Sequence, residues 1–218
     1  FTGYLTCDGF GGYNKLKNVI RCGCLAHMGW YWHEALPGKM KKSPDKTPAE
    51  IGFDYCNQLF ELERGYADLD ADTRKAKRLE TEPAIWEAYW AWLETVNPAG
   101  GSRLAKAVTY AKNQKPYMEN YLLDGRCSIS NNIAENIARS YAVGRKNFLF
   151  HDTVRGARAS AIVYSLVETA KLNHLNIYAY LETVLLYMPD YKNEPEGIEE
   201  LMPWSEMIQQ RCRMKSKN

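Results

Sequence analysis

No run of apolar residues in this 218-residue chain approaches the roughly 20 needed to span a bilayer, and no secretory leader precedes the first strand-like stretch. A soluble, cytoplasmic protein with no membrane partner is therefore expected. Excess charge of one sign is missing too. The 28 Lys and Arg against 26 Asp and Glu leave a formal net charge of +2, so a nucleic-acid surface would have to come from local clustering. Paired cysteine spacings are absent. Cys7, Cys22, Cys24, Cys56, Cys127 and Cys212 are scattered through a chain too long to need a disulfide framework, which predicts reduced thiols. Cys22, Cys24, His27 and His33 stand close together, but Cys-x-Cys with a following His lacks the paired spacing of structural zinc sites. An initiating methionine is lacking as well: the chain opens at Phe1 inside a strand-like run, as expected of a fragment of something longer.

What is present is enough apolar material, 45% of residues, for one large domain or a domain with a sizeable insertion. Tyr4 to Cys7 is short and β-prone, and Val19 to Cys24 reads as a second buried strand in the same sheet. Trp30, Tyr31, Trp32 and Leu36 form an aromatic helix that Pro37-Gly38 ends, followed by a basic loop of Lys39, Lys41, Lys42 and Lys46 around Pro44. Thr47-Pro48-Ala49-Glu50 has the form of a capping box with proline at the first helical position. Helical spacing then continues through Ile51, Tyr55, Leu59, Leu62 and Tyr66, through a basic segment after Asp70, and into a segment that Pro83 opens or kinks. Asn97 to Gly101 is a break, and Ser102 caps the next helix. Residues 47–122 thus read as an all-helical insertion. Within it, Trp86, Tyr89, Trp90 and Trp92 form a core stripe rather than a base-stacking platform. Asp152 or Thr153 caps a long helix, Ile177 to Leu185 makes another, and beyond Pro189 the polar chain reads as a loosely ordered extension.

Two stretches carry candidate chemistry. Asp8 ends the first strand just before Gly9, the position of a metal ligand in many α/β folds and equally that of a simple turn. Asn131 or Asn132 starts a helix in which Ile133, Ile137 and Ala138 face a core, while Glu135 and Arg139 lie a turn apart. That spacing suits a surface ion pair, or a metal-binding carboxylate beside a phosphate-binding arginine. His27, just past the second strand, either lines the site near Asp8 or is a core histidine. Between Arg126 and Arg158, six cations (Arg126, Arg139, Arg145, Lys146, Arg155 and Arg158) face two anions, Glu135 and Asp152, a local footprint for a polyanion.

Taken in order, Asp8-Gly9 with Gly12-Tyr13-Asn14, Cys24 to His27, Asn131 to Glu135, Gly144 to Phe150 and Tyr164 to Lys171 resemble the transposases of the insertion-sequence-66 family over nearly the whole chain. The resemblance implies an α/β, ribonuclease-H-like catalytic core, partial here because its first strands are missing. By it, 1–46 is the first part of the core, 47–122 the helical insertion, 123–188 the second part and 189–218 a C-terminal extension. It also makes Asp8 the second and Glu135 the third acid of an Asp-Asp-Glu triad that binds two Mg²⁺ or Mn²⁺ ions. Arg139, Arg145, Lys146, Asn131 and Asn132 become DNA contacts, and the partners become transposon ends and target DNA, bound by a homo-oligomer in a bacterial, nucleoid-associated setting. The first acid would lie upstream, leaving this stretch inactive alone.

The chain departs from its relatives at Gly29 and Trp30, where the family has two arginines, at Asn136, where it has arginine, and at Ser140, where it has proline; Arg139 matches. The lost arginine pair makes a non-catalytic DNA-binding or assembly module from a decayed transposon the alternative reading. A ribonuclease-H-like nuclease of another type gives Gly144 to Asn147 no necessary role.

Overall fold

A computed structural model describes residues 2–38, 45–192 and 195–214. Lys39, Lys41, Lys42 and Pro44 of the expected basic loop, Glu194 and the basic end of the tail lie outside the described residues. The chain divides into two compact units, 1–134 and 135–218.

The first unit opens with β1 (Gly3–Cys7) and β2 (Val19–Gly23), which pair in parallel from Gly3 opposite Val19 to Cys7 opposite Gly23. A single 3-10 turn, Gly11–Lys15, lies in the connection. Four helices follow: α1 (Leu25–Glu34), α2 (Pro48–Gly65), α3 (Ala71–Leu93) and α4 (Arg103–Met118). The starts of α2, α3 and α4 follow from their caps. Thr47 and Glu50 form the reciprocal capping box, Asp70 accepts from the Asp72 and Thr73 amides at 3.0 Å, and Ser102 accepts from Ala105 at 3.0 Å. Each such cap contributes about 1 kcal/mol.

These helices share one core with the sheet. Cys22, Leu25, Met28 and Trp32 pack with Cys56, Leu59, Trp86, Tyr89, Leu93, Met118 and Tyr121. The aromatic stripe is core, as expected, and its polar edges are satisfied: the Trp32 indole donates to Tyr89 at 3.1 Å, Trp86 to Tyr121 at 3.1 Å and Trp90 to Glu119 at 2.7 Å. A Cβ added at Gly52 would lie 2.4 Å from the Trp32 ring, so α2 approaches α1 there only as glycine.

Pro83 does not open a helix, because α3 runs through it. Proline deprives the Leu79 carbonyl of its donor, and Leu79 is exposed. Arg78 and Glu82 before it and Trp86 and Tyr89 after it are all buried, which pins both halves of α3. Among the described residues the strands are β1 and β2, so the chain is mostly helical with a small parallel sheet. No helix of the described residues is long and apolar enough to cross a membrane.

The second unit takes up α5 (Asn132–Phe148) from Glu135, then α6 (Val154–Leu172), α7 (Ile177–Tyr187) and α8 (Glu206–Cys212). Thr153, rather than Asp152, caps α6. Ala170, Leu175, Tyr180, Val184, Ile208 and Cys212 form its core. The expected loose extension is therefore built into the unit. Leu201, Ile208 and Cys212 are buried, Tyr180 donates to the Leu201 carbonyl at 3.2 Å, and Leu175 bridges Arg213. Three apolar residues among polar neighbours suffice to dock the segment. In α5 the outcome is the reverse. Ile133 is 64% exposed, Ala138 is exposed and Ile137 is half-buried, so the expected core face is not buried.

Candidate active site

The two strands run in the same direction, so Asp8 after β1 and the start of α1 after β2 lie at the same, carboxyl end of the sheet. The Cys24 amide donates to the Cys7 carbonyl at 3.0 Å and joins the two ends. Asp8 is half-buried, and its Oδ1 accepts from the Phe10 amide at 3.0 Å, the local bond that turns the chain through Gly9. His27 is half-buried in the first turn of α1.

Around Asp8 stand residues that the motif pattern did not single out. Arg21, in the middle of β2, donates through Nη2 to the Asp8 carbonyl at 3.4 Å and through Nη1 to Asn14, and its guanidinium lies 4.0 Å over the Tyr117 ring. Tyr110 and Gln114 of α4 pack close to Gly9. A Cβ added at Gly9 would come within 2.9 Å of the Tyr110 ring and 3.0 Å of the Gln114 amide nitrogen. Burial raises the Tyr110 hydroxyl above its ordinary range, with Cys24 and Asp8 adding to the effect. The available signals were an arginine inside an apolar strand and a glutamine continuing the buried line Ala107, Ala111, Met118.

Asn131 precedes α5 in the N-cap position and Asn132 begins it. Glu135 is exposed in its first turn, where the helix dipole favours a carboxylate. Arg139, Arg145 and Lys146 are exposed farther along, with the last two at the carboxyl end that favours cations. Ser140 helps hold Glu168 of α6 in its ionised form. Lys171, at 2.6 Å, makes the larger contribution and draws the Glu168 carboxyl below its ordinary range. Tyr141 packs edge-on against Tyr164 at 5.0 Å.

Asp8 thus belongs to the first unit and Glu135 opens the second. Both offer hard carboxylate oxygens of the kind Mg²⁺ takes. Asp8 has one oxygen committed to Phe10 and the other available to a cation, so the donor chemistry fits a divalent ion. A cluster of three or more His, Cys, Asp or Glu side chains able to hold a metal does not occur among the described residues. At Gly29 a Cβ would meet only Cys56 at 3.6 Å, while Trp30 is 55% exposed with its ring edge-on to Tyr31 at 5.1 Å.

Sequence comparison gives two family matches. Residues 1–159 are similar to the Transposase IS66 family, and residues 165–204 to the IS66 C-terminal element. Among curated proteins, y4qI of Sinorhizobium fredii (strain NBRC 101917 / NGR234) is 29% identical over 218 residues, covering 94% of this chain and 39% of that protein. From the same organism, y4hP is 31% identical over 150 residues, covering 68% of this chain and 27% of that protein. A third, y4jD, is 29% identical over 216 residues, covering 94% and 41%. All three are described as uncharacterized. The chain spans about two fifths, or less, of the length of these relatives. No solved structure matches.

Proposed function

The chain belongs to the IS66 family of transposases, and from that premise we propose that it forms part of the catalytic region of a DNA transposase, which cuts and joins DNA strands when an insertion sequence moves. In this reading Asp8 is the second and Glu135 the third acid of the site, on a partial ribonuclease-H-like core into which 47–122 is inserted. The observation that carries it is Asp8 at the carboxyl end of a parallel strand pair, beside the start of α1, inside the stretch that matches the family.

Strand transfer forms a bond from an attacking hydroxyl oxygen to phosphorus as the bond to the leaving 3′ oxygen breaks; the attacking hydroxyl gives its proton to solvent and the leaving oxygen takes one up from solvent to become a 3′ hydroxyl. Divalent cations, when bound, would lower the charge cost on both oxygens. The protein's part is to hold the acids and the phosphates. The Phe10 amide fixes the Asp8 carboxylate, and the exposed Arg139, Arg145 and Lys146 offer cations along one helix to a DNA backbone, with Asn131 and Asn132 at its start. Two acids are one short of the family's triad. The relatives are much longer, so the first acid is assigned to a preceding segment and the 218 residues alone are expected to be inactive. Binding of transposon ends and target as a homo-oligomer, in association with the nucleoid, belongs to the same proposal.

The exposed Trp30 at the site of a lost cation favours one second reading, a non-catalytic DNA-binding or assembly module. Mg²⁺-dependent cleavage of a duplex carrying a transposon end, assayed for this chain, for a version extended upstream and for its Asp8→Asn and Glu135→Gln forms, separates the two. Activity only in the extended parent is expected. Full activity of the Glu135→Gln form would remove Glu135 from the site. Robust cleavage by the 218 residues alone would end the proposed inactivity. Absence of both metal binding and cleavage from every version would favour the second reading.

A further inference from the structure

Two arginines of the first unit are buried, and they are treated differently. Arg78 pairs with Glu63 at 2.6 Å. Arg21, 8% exposed, gives its hydrogen bonds to a carbonyl and a side-chain amide, and among the described residues no carboxylate pairs with it. Its buried Nε has no hydrogen-bond partner. A buried guanidinium without an anion is costly, because the charge gives up water and gains little in return. Arginine cannot escape that cost by losing its proton. What Arg21 grips is the backbone of Asp8.

Helix α4 also packs close to that backbone. Tyr110, Gln114 and Tyr117 recur at i, i+4 and i+7, so they share one face of α4. Tyr117 is the platform under the Arg21 guanidinium, and Tyr110 and Gln114 leave no room at Gly9 for a Cβ. The Arg21 carbonyl in turn accepts from Asn120 at 2.7 Å, just past the end of α4. The Asp8–Gly9 peptide is therefore held between β2 and α4, and the Phe10 amide converts a fixed backbone into a fixed carboxylate.

We propose that Arg21 is the positioning residue for Asp8, with Tyr117 as its platform and Tyr110 and Gln114 packed close against Gly9. This rests on the reading of Asp8 as a metal-binding acid. It makes α4 of the helical segment a support of the site rather than a spacer between its halves.

The test uses the 218-residue chain and its Arg21→Met, Arg21→Lys, Tyr117→Leu and Asp8→Asn forms, with two nuclear magnetic resonance readouts. The first is amide hydrogen exchange at Phe10, compared with that at Tyr89 and Leu93 in the core. The second is the Mn²⁺ concentration that broadens the Gly9 and Phe10 amide signals. In Arg21→Met, Phe10 is expected to exchange severalfold faster while Tyr89 and Leu93 keep their protection, and the Mn²⁺ needed rises about tenfold or more. Arg21→Lys falls between, and Asp8→Asn abolishes the broadening. Should Arg21→Met not fold, Tyr117→Leu carries the same expectation. Unchanged Phe10 exchange and Mn²⁺ response in Arg21→Met and Tyr117→Leu overturn the positioning role, even if Asp8→Asn abolishes broadening. Broadening that survives in Asp8→Asn instead overturns the metal reading, and exchange at Phe10 still judges Arg21.

Discussion

Replacing Arg78 by methionine is expected to destabilise the first unit by roughly 3–5 kcal/mol, the usual cost of removing one partner of a buried ion pair. The geometry says why the loss is electrostatic and not steric. Methionine preserves most of the buried stem, so little cavity opens. The guanidinium it removes donates to both Glu63 oxygens, at 2.7 and 2.6 Å, and to the carbonyls of Tyr121 at 3.2 Å, Asp124 at 3.1 Å and Cys127 at 2.9 Å. Glu63 is left as a carboxylate whose side chain is 11% exposed. The Tyr121 and Asp124 carbonyls each keep a backbone donor, from Asp124 and Cys127 respectively, so the Cys127 carbonyl suffers most among the three. An unsatisfied buried carbonyl costs about 1–3 kcal/mol, which places the stranded carboxylate first.

Set against a typical domain stability of about 5–15 kcal/mol, this brings the unit close to unfolding. Urea denaturation followed by tryptophan fluorescence reads the effect directly, because Trp32, Trp86 and Trp90 lie in that core. The double substitution Arg78→Met with Glu63→Met removes both charges and should lose clearly less than the sum of the two single changes. A single-variant loss under about 1 kcal/mol, or strict additivity in the double, would refute the reasoning.

Burial pushes the Glu82 carboxyl up to about 7, although the Tyr121 hydroxyl donates to it. A folded-state pKa above the unfolded one means that the native state holds the extra proton. The contribution is complete below the ordinary value of 4.5 and is lost as pH rises through about 7. Unfolding free energies from urea titrations between pH 5 and pH 8 should therefore fall with rising pH, by at most about 1.4 kcal/mol per unit from this group, and Glu82→Gln should flatten the slope; an unchanged slope would assign the dependence elsewhere. In the second unit, Ile208→Ala removes a fully buried side chain and should cost about 2–5 kcal/mol. Amide exchange in α7 should accelerate while that at Tyr89 and Leu93 in the first unit stays as it was, and uniform acceleration in both units would contradict the division of cores.

Local rules made much of the fold readable. Thr47, Asp70 and Ser102 start helices where their side chains satisfy amides that a helix start leaves without partners, a relation contained within four residues of sequence. β1 and β2 were legible from their β-branched and aromatic content, and the tryptophan stripe from its spacing. What escaped depends on residues distant in the chain. Pro83 stays in a helix because residues on both sides of it are anchored in one core. Ile208 and Cys212 dock a segment that looks polar in sequence, because the partner surface is supplied by α6 and α7. Arg21 reaches Asp8, and Gln114 reaches Gly9, only after β2 and α4 have been brought together, and no motif spans that separation.

The helical stretch between the two acids therefore does more than return the chain to the sheet. Its Arg78 holds the Tyr121–Cys127 turn from one side. From the other, Thr6 of β1 donates to the Ser128 carbonyl at 3.1 Å, and the Leu25 amide, at the start of α1, donates to that of Ile129 at 3.0 Å. The chain entering α5 at Asn132 is thus fixed by the helices and by the sheet together. In the same stretch, α4 fixes the Asp8 turn through Tyr117 and Arg21. A displacement within α2 to α4 cannot be absorbed by a flexible joint, since Cys22 and Leu25 share a core with Trp86 and Tyr89. It reaches the Asp8 turn and the entry to α5 at once, and substitutions in the helical segment, far in sequence from either acid, should alter amide exchange at Phe10 in the Asp8 turn as well as stability.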